Sequence, residues 1–414
     1  MLRCGLLGRK LSHSYSPAIH EAFGGYSYEL FEIEPENLAA FMERRDIHGF
    51  NVTIPYKRDV MSFCKELSPT ARSIGSVNTI LRRADGSLYG DNTDVNGFSS
   101  QVKCSGIDVH SKKVLVLGSG GSSSCVVHVM REMQAGQIVV ISRGGEDNYN
   151  NISRHHDAQV IINTTPVGMY PHTGESPVDI RNFKRLEGVL DLIYNPARTQ
   201  FLMDAEMLGL PYSNGLTMLV GQARVASEIF RGQPITAEQE EKVVKMLRRK
   251  MENIILIGMP GCGKSTIGRL LAESTSKTFV DADSAIEETA GISIPEIFDR
   301  EGEQGFRKRE SEVLEKLGKQ SGLVIATGGG CVTRRENYSY LHQNGTIVFL
   351  ERDISKLERK GRPLSQGNLH EMFDKRLPLY REFADIIIQN NERVEEVVKR
   401  ITETVYGESN GDSI

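Results

Sequence analysis

Three stretches of this chain place residues where they could do chemistry. The tightest is Gly258–Ser265, GMPGCGKS: a glycine, four residues, then Gly-Lys-Ser. Apolar Ile254–Ile257 ahead of it reads as a buried strand, and a helical pattern runs on from Ser265. In that setting Gly258, Gly261 and Gly263 let backbone N–H groups turn inward around phosphate oxygens. The loop Gly261, Cys262, Gly263, Lys264, Ser265 and Thr266 would then hold a nucleoside triphosphate, with Lys264 at the terminal phosphates and the Ser265 hydroxyl at Mg²⁺. Downstream, FVDAD (Phe279–Asp283) sets Asp281 and Asp283 one residue apart. On a continuing strand both point to one side, as a metal shell and a hydroxyl acceptor would.

The second stretch is VLGSGGSS (Val116–Ser123), between the strand Val114–Leu117 and an apolar helix read as Ser124–Met133. Gly118, Ser119, Gly120, Gly121 and Ser122 would hold a dinucleotide pyrophosphate at a helix N-terminus, although Ser123 stands where a third glycine is usual. The next strand, Ile138–Ile141, ends in Ser142-Arg143 rather than in an acid. A cation there suits a 2′-phosphate, which favours NADP(H) over NAD. The third stretch is a set of polar turns beside apolar runs: LSHSYSP (Leu11–Pro17), GFNVTIPYK (Gly49–Lys57), GSVNT (Gly75–Thr79) and GDNTD (Gly90–Asp94). Ser16 reads as an N-cap with Pro17 at the first helical position, so Ser14 and Ser16 present hydroxyls where a carboxylate is favoured. Lys57 reads as the start of a helix and Asp94 as a cap. Taken singly, a lysine there is more often a surface charge and an aspartate more often just a cap.

Short apolar strands alternating with helical patterns must position these groups, which makes the fold α/β. A length of 414 residues allows two to four domains. A 39% hydrophobic and 25% charged composition excludes a disordered chain. A formal net charge of −4 gives no basic field, which argues against nucleic acid. Six cysteines without CxxC spacing fit reduced thiols better than a disulfide framework or a zinc site. No apolar run is long enough for a signal peptide or a membrane span, so a soluble cytoplasmic protein is expected. His155 and His156 read as solvated loop residues. Thr236–Arg249 reads as a capped amphipathic helix that almost touches the strand Ile254–Gly258. The chain therefore divides near Lys250–Met251, with a softer boundary at Asp94. The expected parts are a substrate lobe, 1–93 plus 213–250; an inserted Rossmann-like lobe, 94–212; and a P-loop α/β domain with a parallel sheet, 251–414. Oligomeric state is not legible.

Further segments follow the phosphate loop in order: GISIPEIFDREGEQGFRKRE (Gly291–Glu310), TGGG (Thr327–Gly330), GRPL (Gly361–Leu364) and KRLPLYREFAD (Lys375–Asp385). With them, residues of about 252–406 resemble shikimate kinase. That resemblance implies ATP and Mg²⁺, Asp281 acting through the metal's water shell, and Asp283 holding the shikimate hydroxyls and assisting deprotonation. It also implies that Arg307 and Arg376 clamp the substrate carboxylate, that Gly329 with Gly328 and Gly330 approaches the ring, and that Arg362 closes over the phosphates.

The first half adds NTTPVGM (Asn163–Met169), DLIYNPARTQFL (Asp191–Leu202) and NGLTMLVGQA (Asn214–Ala223). Over about residues 2–233 it resembles shikimate dehydrogenase. The implied chemistry is hydride transfer between NADPH and 3-dehydroshikimate, with Lys57 and Asp94 as the catalytic pair. Ser14 and Ser16 would bind the carboxylate; Thr53, Asn78, Tyr194 and Gln222 the ring hydroxyls; Leu192 and Gly215 the cofactor. Departing from the family, the stretch between Arg143 and Val160 is short and rich in turn formers. The reading is a bifunctional enzyme making shikimate and then shikimate 3-phosphate. Its rivals are an NAD-preferring quinate/shikimate dehydrogenase, or a non-catalytic shikimate-binding regulatory half, fused to an active kinase.

Overall fold

The computed structural model describes residues 2–11, 14–357 and 369–407. Its contacts divide the chain into two units. The first takes residues up to Val167, Ser176–Tyr194 and Asp204–Met246; the second takes Gly168–Glu175, Asn195–Met203 and Leu247 onward. The division falls inside the helix Ala237–Met251, whose end is one residue from the next strand. Thr236 and Gln239 form the reciprocal cap that starts this helix: Gln239 N–H donates to Thr236 Oγ1 at 3.2 Å, and Thr236 N–H donates to Gln239 Oε1 at 3.0 Å.

The first unit holds two sheets. Strands β1 (Leu2–Gly8), β2 (Tyr26–Glu32), β3 (Gly49–Val52), β4 (Glu66–Leu67), β5 (Thr79–Arg82) and β6 (Leu88–Asp91) order as β2-β1-β3-β5-β6-β4. β1 runs parallel to β2 and β3, while β5 is antiparallel to both β3 and β6. Phe31, Phe41, Phe50 and Ile80 fill the core on one side of this sheet. Strands β7 (Lys113–Leu117), β8 (Gln137–Ile141), β9 (Val160–Asn163), β10 (Gly188–Asp191) and β11 (Tyr212–Ser213) form a second sheet, ordered β11-β10-β9-β7-β8, every pair parallel. Its continuous apolar strands are those of a sheet covered on both faces. Val114, Val116, Val160 and Ile162 pack with Val126, Val129 and Met130 of the helix Gly121–Glu132.

A buried polar chain lies under the first sheet. His20 Nδ1 is hydrogen-bonded to the Tyr26 hydroxyl at 2.6 Å, and the ring stacks on Tyr28 at 3.9 Å. The Tyr28 hydroxyl donates to Asn51 Oδ1 at 2.8 Å. Burial pushes His20 down to about 3. That value lies below the unfolded one of about 6.5, so its contribution to stability is complete above about pH 6.5 and is lost as the pH falls towards 3. In a His20→Asn variant, the fall in unfolding midpoint between pH 7 and pH 4 is expected to be shallower than in the parent. Equal slopes would remove His20 as its source.

The second unit is built on β12 (Asn253–Ile257), β13 (Thr278–Asp281), β14 (Leu323–Ala326), β15 (Gly345–Glu351) and β16 (Ile386–Gln389), ordered β13-β14-β12-β15-β16 and parallel throughout. Ile254, Ile255, Leu256 and Ile257 are wholly buried at its centre. Two short segments that the sequence assigned to 94–212 count with this unit. Within it, Ala197 N–H donates to Asn344 Oδ1 at 2.8 Å and Arg198 Nη1 donates to the His342 carbonyl at 2.9 Å. Among the described residues, no helix is long and apolar enough to cross a membrane.

Candidate active sites

In the first unit a cavity of about 470 Å³ gathers Ser14, Ser16, Thr53, Lys57, Asn78, Asp94, Ser122, Leu192, Tyr194, Gly215 and Gln222. Those residues come from seven separate stretches of sequence, so their meeting is a product of the fold. At its centre Lys57 Nζ donates to Asp94 Oδ2 at 2.6 Å. The other oxygen, Oδ1, accepts from Asn78 Nδ2 at 2.8 Å, and Asn78 Oδ1 accepts from the Thr93 backbone N–H at 2.8 Å. Asp94 is thus held by both oxygens. Lys57 keeps 31% of its side-chain surface, so it can turn a proton towards a ligand.

Several local expectations change. Ser16 is not the N-cap: the helix Ser16–Phe23 begins at Ser16, its N-cap is Tyr15, and no side chain caps it. Pro17 supplies the start instead, because its fixed φ suits the first turn. Ser14 Oγ accepts from the Ser16 N–H at 3.2 Å, which orders the pair. Asp94 is not a cap either. It is the first residue of the helix Asp94–Ser105, with its carboxylate committed to Lys57 and Asn78. Lys57 lies in a turn ahead of a 3₁₀ helix, Asp59–Phe63. Tyr194 meets Tyr15 edge-on at 6.1 Å, and burial raises its hydroxyl pKa. Gln222 Nε2 donates to the Leu219 carbonyl at 2.8 Å. A side chain at Gly215 would come within 2.0 Å of the Leu192 carbonyl oxygen, so two of the expected cofactor residues touch through backbone that only glycine permits.

At the dinucleotide loop the helix starts at Gly121, three residues earlier than its apolar pattern suggests, with Gly120 as N-cap. A Cβ on Gly120 or Gly121 would meet nothing within 4 Å, so the exposed face of that helix start is open to a ligand. Ser119 and Ser122 are exposed beside it, while Ser123, in the third-glycine position, is buried. Gly118 turns the chain away from β7 at a φ of 106°. Arg143 is exposed past the end of β8. The short stretch after it is an ordered turn. Asn148 N–H donates to Asn151 Oδ1 at 2.8 Å, and Asn151 Nδ2 donates to the Glu146 carbonyl at 2.8 Å. Asp147, which could compete for Arg143, bonds His155 Nε2 at 2.8 Å. His155 is therefore a buried partner of Asp147 rather than a solvated loop residue. His156 meets the Phe183 ring edge-on at 5.1 Å. Among the described residues, no group of three or more His, Cys, Asp and Glu could hold a metal.

The second unit has a cavity of about 400 Å³ lined by Gly261, Gly263, Lys264, Ser265, Thr266, Asp281, Asp283, Arg307, Gly328, Gly329, Gly330 and Arg376. Gly258, Gly261 and Gly263 all take positive φ, as a phosphate loop needs. Lys264, first residue of the helix Lys264–Thr275, donates from Nζ to the carbonyls of Gly258 at 2.8 Å and Met259 at 3.1 Å. Cys262 is wholly buried and is not among the residues lining the cavity; its carbonyl accepts from Asn390 Nδ2. The strand ends at Asp281, which corrects the reading of Asp283 as a strand residue. Asp281 caps the helix Ala282–Ala290: its Oδ1 accepts from the Asp283 N–H at 3.1 Å, and its Oδ2 accepts from Ser265 Oγ at 2.7 Å. Asp283 reaches the cavity from the first helical turn. The two acids still meet the phosphate loop, because an N-cap and its following turn face the same helix end. Arg362 lies outside the described residues.

The cavity also holds residues that sequence reasoning missed: Glu287, Phe298, Phe306, Thr327 and, above all, Glu310. Glu310 is wholly buried and Oε2 accepts from Arg307 Nη1 at 2.7 Å. Burial raises its carboxyl pKa against the pull of Arg307. Among the described residues, Glu310 Oε1 and Arg307 Nε have no hydrogen-bond partner, which marks a polar wall fit for a ligand. The signal for Glu310 was present as the last residue of the quoted Gly291–Glu310 segment, three positions after Arg307 on one helix face. Arg376 Nη1 donates to the Gly329 carbonyl at 3.1 Å, so the triple glycine is tied to the second arginine.

Comparisons with known proteins fall on the same two units. A family model described as shikimate dehydrogenase substrate binding domain matches residues 6–80, and one described as shikimate kinase matches 260–406. A Clostridium perfringens protein named shikimate dehydrogenase (NADP(+)) is 36% identical over 265 residues, covering 59% of this chain and 97% of the relative. A Nitrosomonas europaea shikimate kinase is 50% identical over 148 residues, covering 33% of this chain and 70% of the relative. Among solved structures, Thermus thermophilus shikimate 5-dehydrogenase in complex with NADP(H) and shikimate is similar at 31% identity and a TM-score of 0.54, covering 59% of this chain and 99% of that one. A chorismate mutase/shikimate 5-dehydrogenase fusion protein from Clostridium acetobutylicum is similar at 36% identity and a TM-score of 0.58, covering 60% and 98%. The chain therefore belongs to the shikimate dehydrogenase family through its first part and to the shikimate kinase family through its second.

Proposed function

We propose that this bifunctional shikimate-pathway enzyme reduces 3-dehydroshikimate to shikimate with NADPH in its first part, and phosphorylates shikimate to shikimate 3-phosphate with ATP in its second. The observation that carries the reading is the Lys57–Asp94 pair at 2.6 Å inside a cavity that also presents Ser14, Ser16, Asn78 and Gln222. We assign 1–93 plus 213–250 to the substrate lobe, 94–212 to the NADP lobe and 251–414 to the kinase. The unpaired cysteines suit a reducing compartment, the cytoplasm.

In the reductase step NADPH, when bound, supplies the hydride. Lys57 gives a proton from Nζ to the carbonyl oxygen as negative charge develops there, and Asp94 holds that ammonium in place. Ser14 and Ser16 fix the carboxylate, while Thr53, Asn78, Tyr194 and Gln222 orient the ring. Gly118, Ser119, Gly120, Gly121 and Ser122 take the pyrophosphate, Arg143 the 2′-phosphate, and Leu192 and Gly215 the nicotinamide side. In the kinase step Asp283 accepts the proton of the attacking hydroxyl and Lys264 steadies the departing phosphates. Arg307 and Arg376 hold the substrate carboxylate, beside Gly329. Mg²⁺, when bound, neutralises phosphate charge; Ser265 would hold it directly and Asp281 through its water shell, the two oxygens, 2.7 Å apart, being the hard donors such an ion takes.

The cofactor assignment is tested by measuring 3-dehydroshikimate reduction with NADPH and with NADH. The parent is expected to prefer NADPH. Arg143→Ser should raise the KM for NADPH about tenfold and leave that for NADH unchanged, the effect of removing one charge-assisted phosphate contact. A parent that prefers NADH would favour the quinate/shikimate alternative.

A further inference from the structure

The Lys57–Asp94 pair leaves the dehydrogenase cavity with one ionised wall residue uncommitted. The charged residues lining it are Lys10, Lys57 and Asp94. The last two neutralise each other. Lys10 sits two residues beyond the carboxyl end of β1, where ligands meet the edge of parallel strands. Its neighbour Arg9 is paired with Glu34 at 2.8 Å. Leu11 N–H donates to Glu32 Oε1 at 2.6 Å, and Ser14 N–H donates to the Leu11 carbonyl at 3.1 Å. These bonds fix the backbone on which Lys10 stands, and they engage the nearby acids. Lys10 itself is exposed, and no ion pair joins it to an acid among the described residues.

The hydroxyls of Ser14 and Ser16 donate more strongly to a carboxylate, but they can also donate to the carbonyl of an ester or amide. Neutral donors therefore orient the group without demanding its charge. A cation lining the same cavity adds to that discrimination, because an anion gains from it and a neutral group does not. We propose that Lys10 is a specificity-determining residue of the reductase, selecting the ionised carboxylate of the cyclic substrate over neutral analogues. The inference rests on the reductase reading above and extends it to a residue outside the expected site.

The test uses the full chain, with NADP⁺ as oxidant and shikimate or its methyl ester as paired substrates. Lys10→Ala should raise the KM for shikimate about fivefold, the upper range for one exposed ion pair. It should leave kcat, the KM for the ester and the KM for NADP⁺ within a factor of two. Lys10→Arg should restore the parent preference, and added salt should raise the shikimate KM of the parent more than that of Lys10→Ala. Equal losses for acid and ester would reduce Lys10 to a packing role. An unchanged shikimate KM, or a rise confined to NADP⁺, would also overturn the proposal. A parent protein that oxidises neither substrate would overturn the reductase reading itself, and the inference with it.

Discussion

Replacing Lys57 with alanine is expected to lower the dehydrogenase kcat by about a hundredfold or more, the scale of a lost acid–base group, while kinase turnover stays at the parent level. A ketone that accepts hydride must also accept a proton, and the ammonium of Lys57 is the proton donor that its surroundings hold most firmly in the cavity. Its partner Asp94 is fixed through both oxygens, by Lys57 at 2.6 Å and by Asn78 at 2.8 Å. Removing Lys57 leaves Asp94 with the bond to Asn78 alone, so the cavity keeps its shape and the loss falls on kcat more than on KM. Asp94→Asn keeps a hydrogen-bond acceptor at the same place but removes its charge; a smaller loss is expected. Stopped-flow or steady-state NADPH oxidation measures both variants. A Lys57→Ala protein that reduces 3-dehydroshikimate at the parent rate would remove Lys57 from the chemistry. A parent protein with no turnover would revive the regulatory alternative.

The second large effect is at Lys264. Lys264→Ala should lower shikimate phosphorylation by about a hundred- to a thousandfold, the range for one lost transition-state donor, with the dehydrogenase rate intact. Its Nζ now bonds the Gly258 and Met259 carbonyls of its own loop, both groups of the same phosphate cradle. Those bonds hold the ammonium over the loop, so it is poised where phosphate oxygens arrive. Lys264→Arg is expected to rescue little, since a planar guanidinium does not fit a cradle closed around an ammonium point charge. A coupled assay of ADP release reads the loss. Loss of both activities in either variant would contradict two independent sites.

Much of this was legible in the sequence because its signals are local. The phosphate loop lies between a buried strand and a helix, and each part has its own pattern: four apolar residues, three glycines, then a helical period. The capped helix Ala237–Met251 running almost directly into β12 was likewise written in its acids, its bases and Thr236. The errors lay where tertiary partners override local preference. Ser16 and Asp94 have the side chains of caps, but the fold spends Asp94 on Lys57 and lets Pro17 start the other helix. Asp283 follows an acid on an apolar strand, and only the capping bond to Asp281 Oδ1 reveals that the strand has already turned into a helix. His155 looked like a loop residue because Asp147 is eight positions away and nothing in the spacing joins them. Glu310 and Lys10 carry ordinary surface-residue types; their roles come from burial in one case and from the cavity wall in the other.

The most direct test gives the purified full chain 3-dehydroshikimate, NADPH and ATP–Mg²⁺ together and follows product by mass spectrometry. Shikimate 3-phosphate should accumulate with NADPH consumed in equal amount. Lys57→Ala and Lys264→Ala should each slow its formation by about a hundredfold or more, and a mixture of the two variants should restore the rate. Failure of the parent to make shikimate 3-phosphate, or its formation from 3-dehydroshikimate with NADPH left out, would contradict the account.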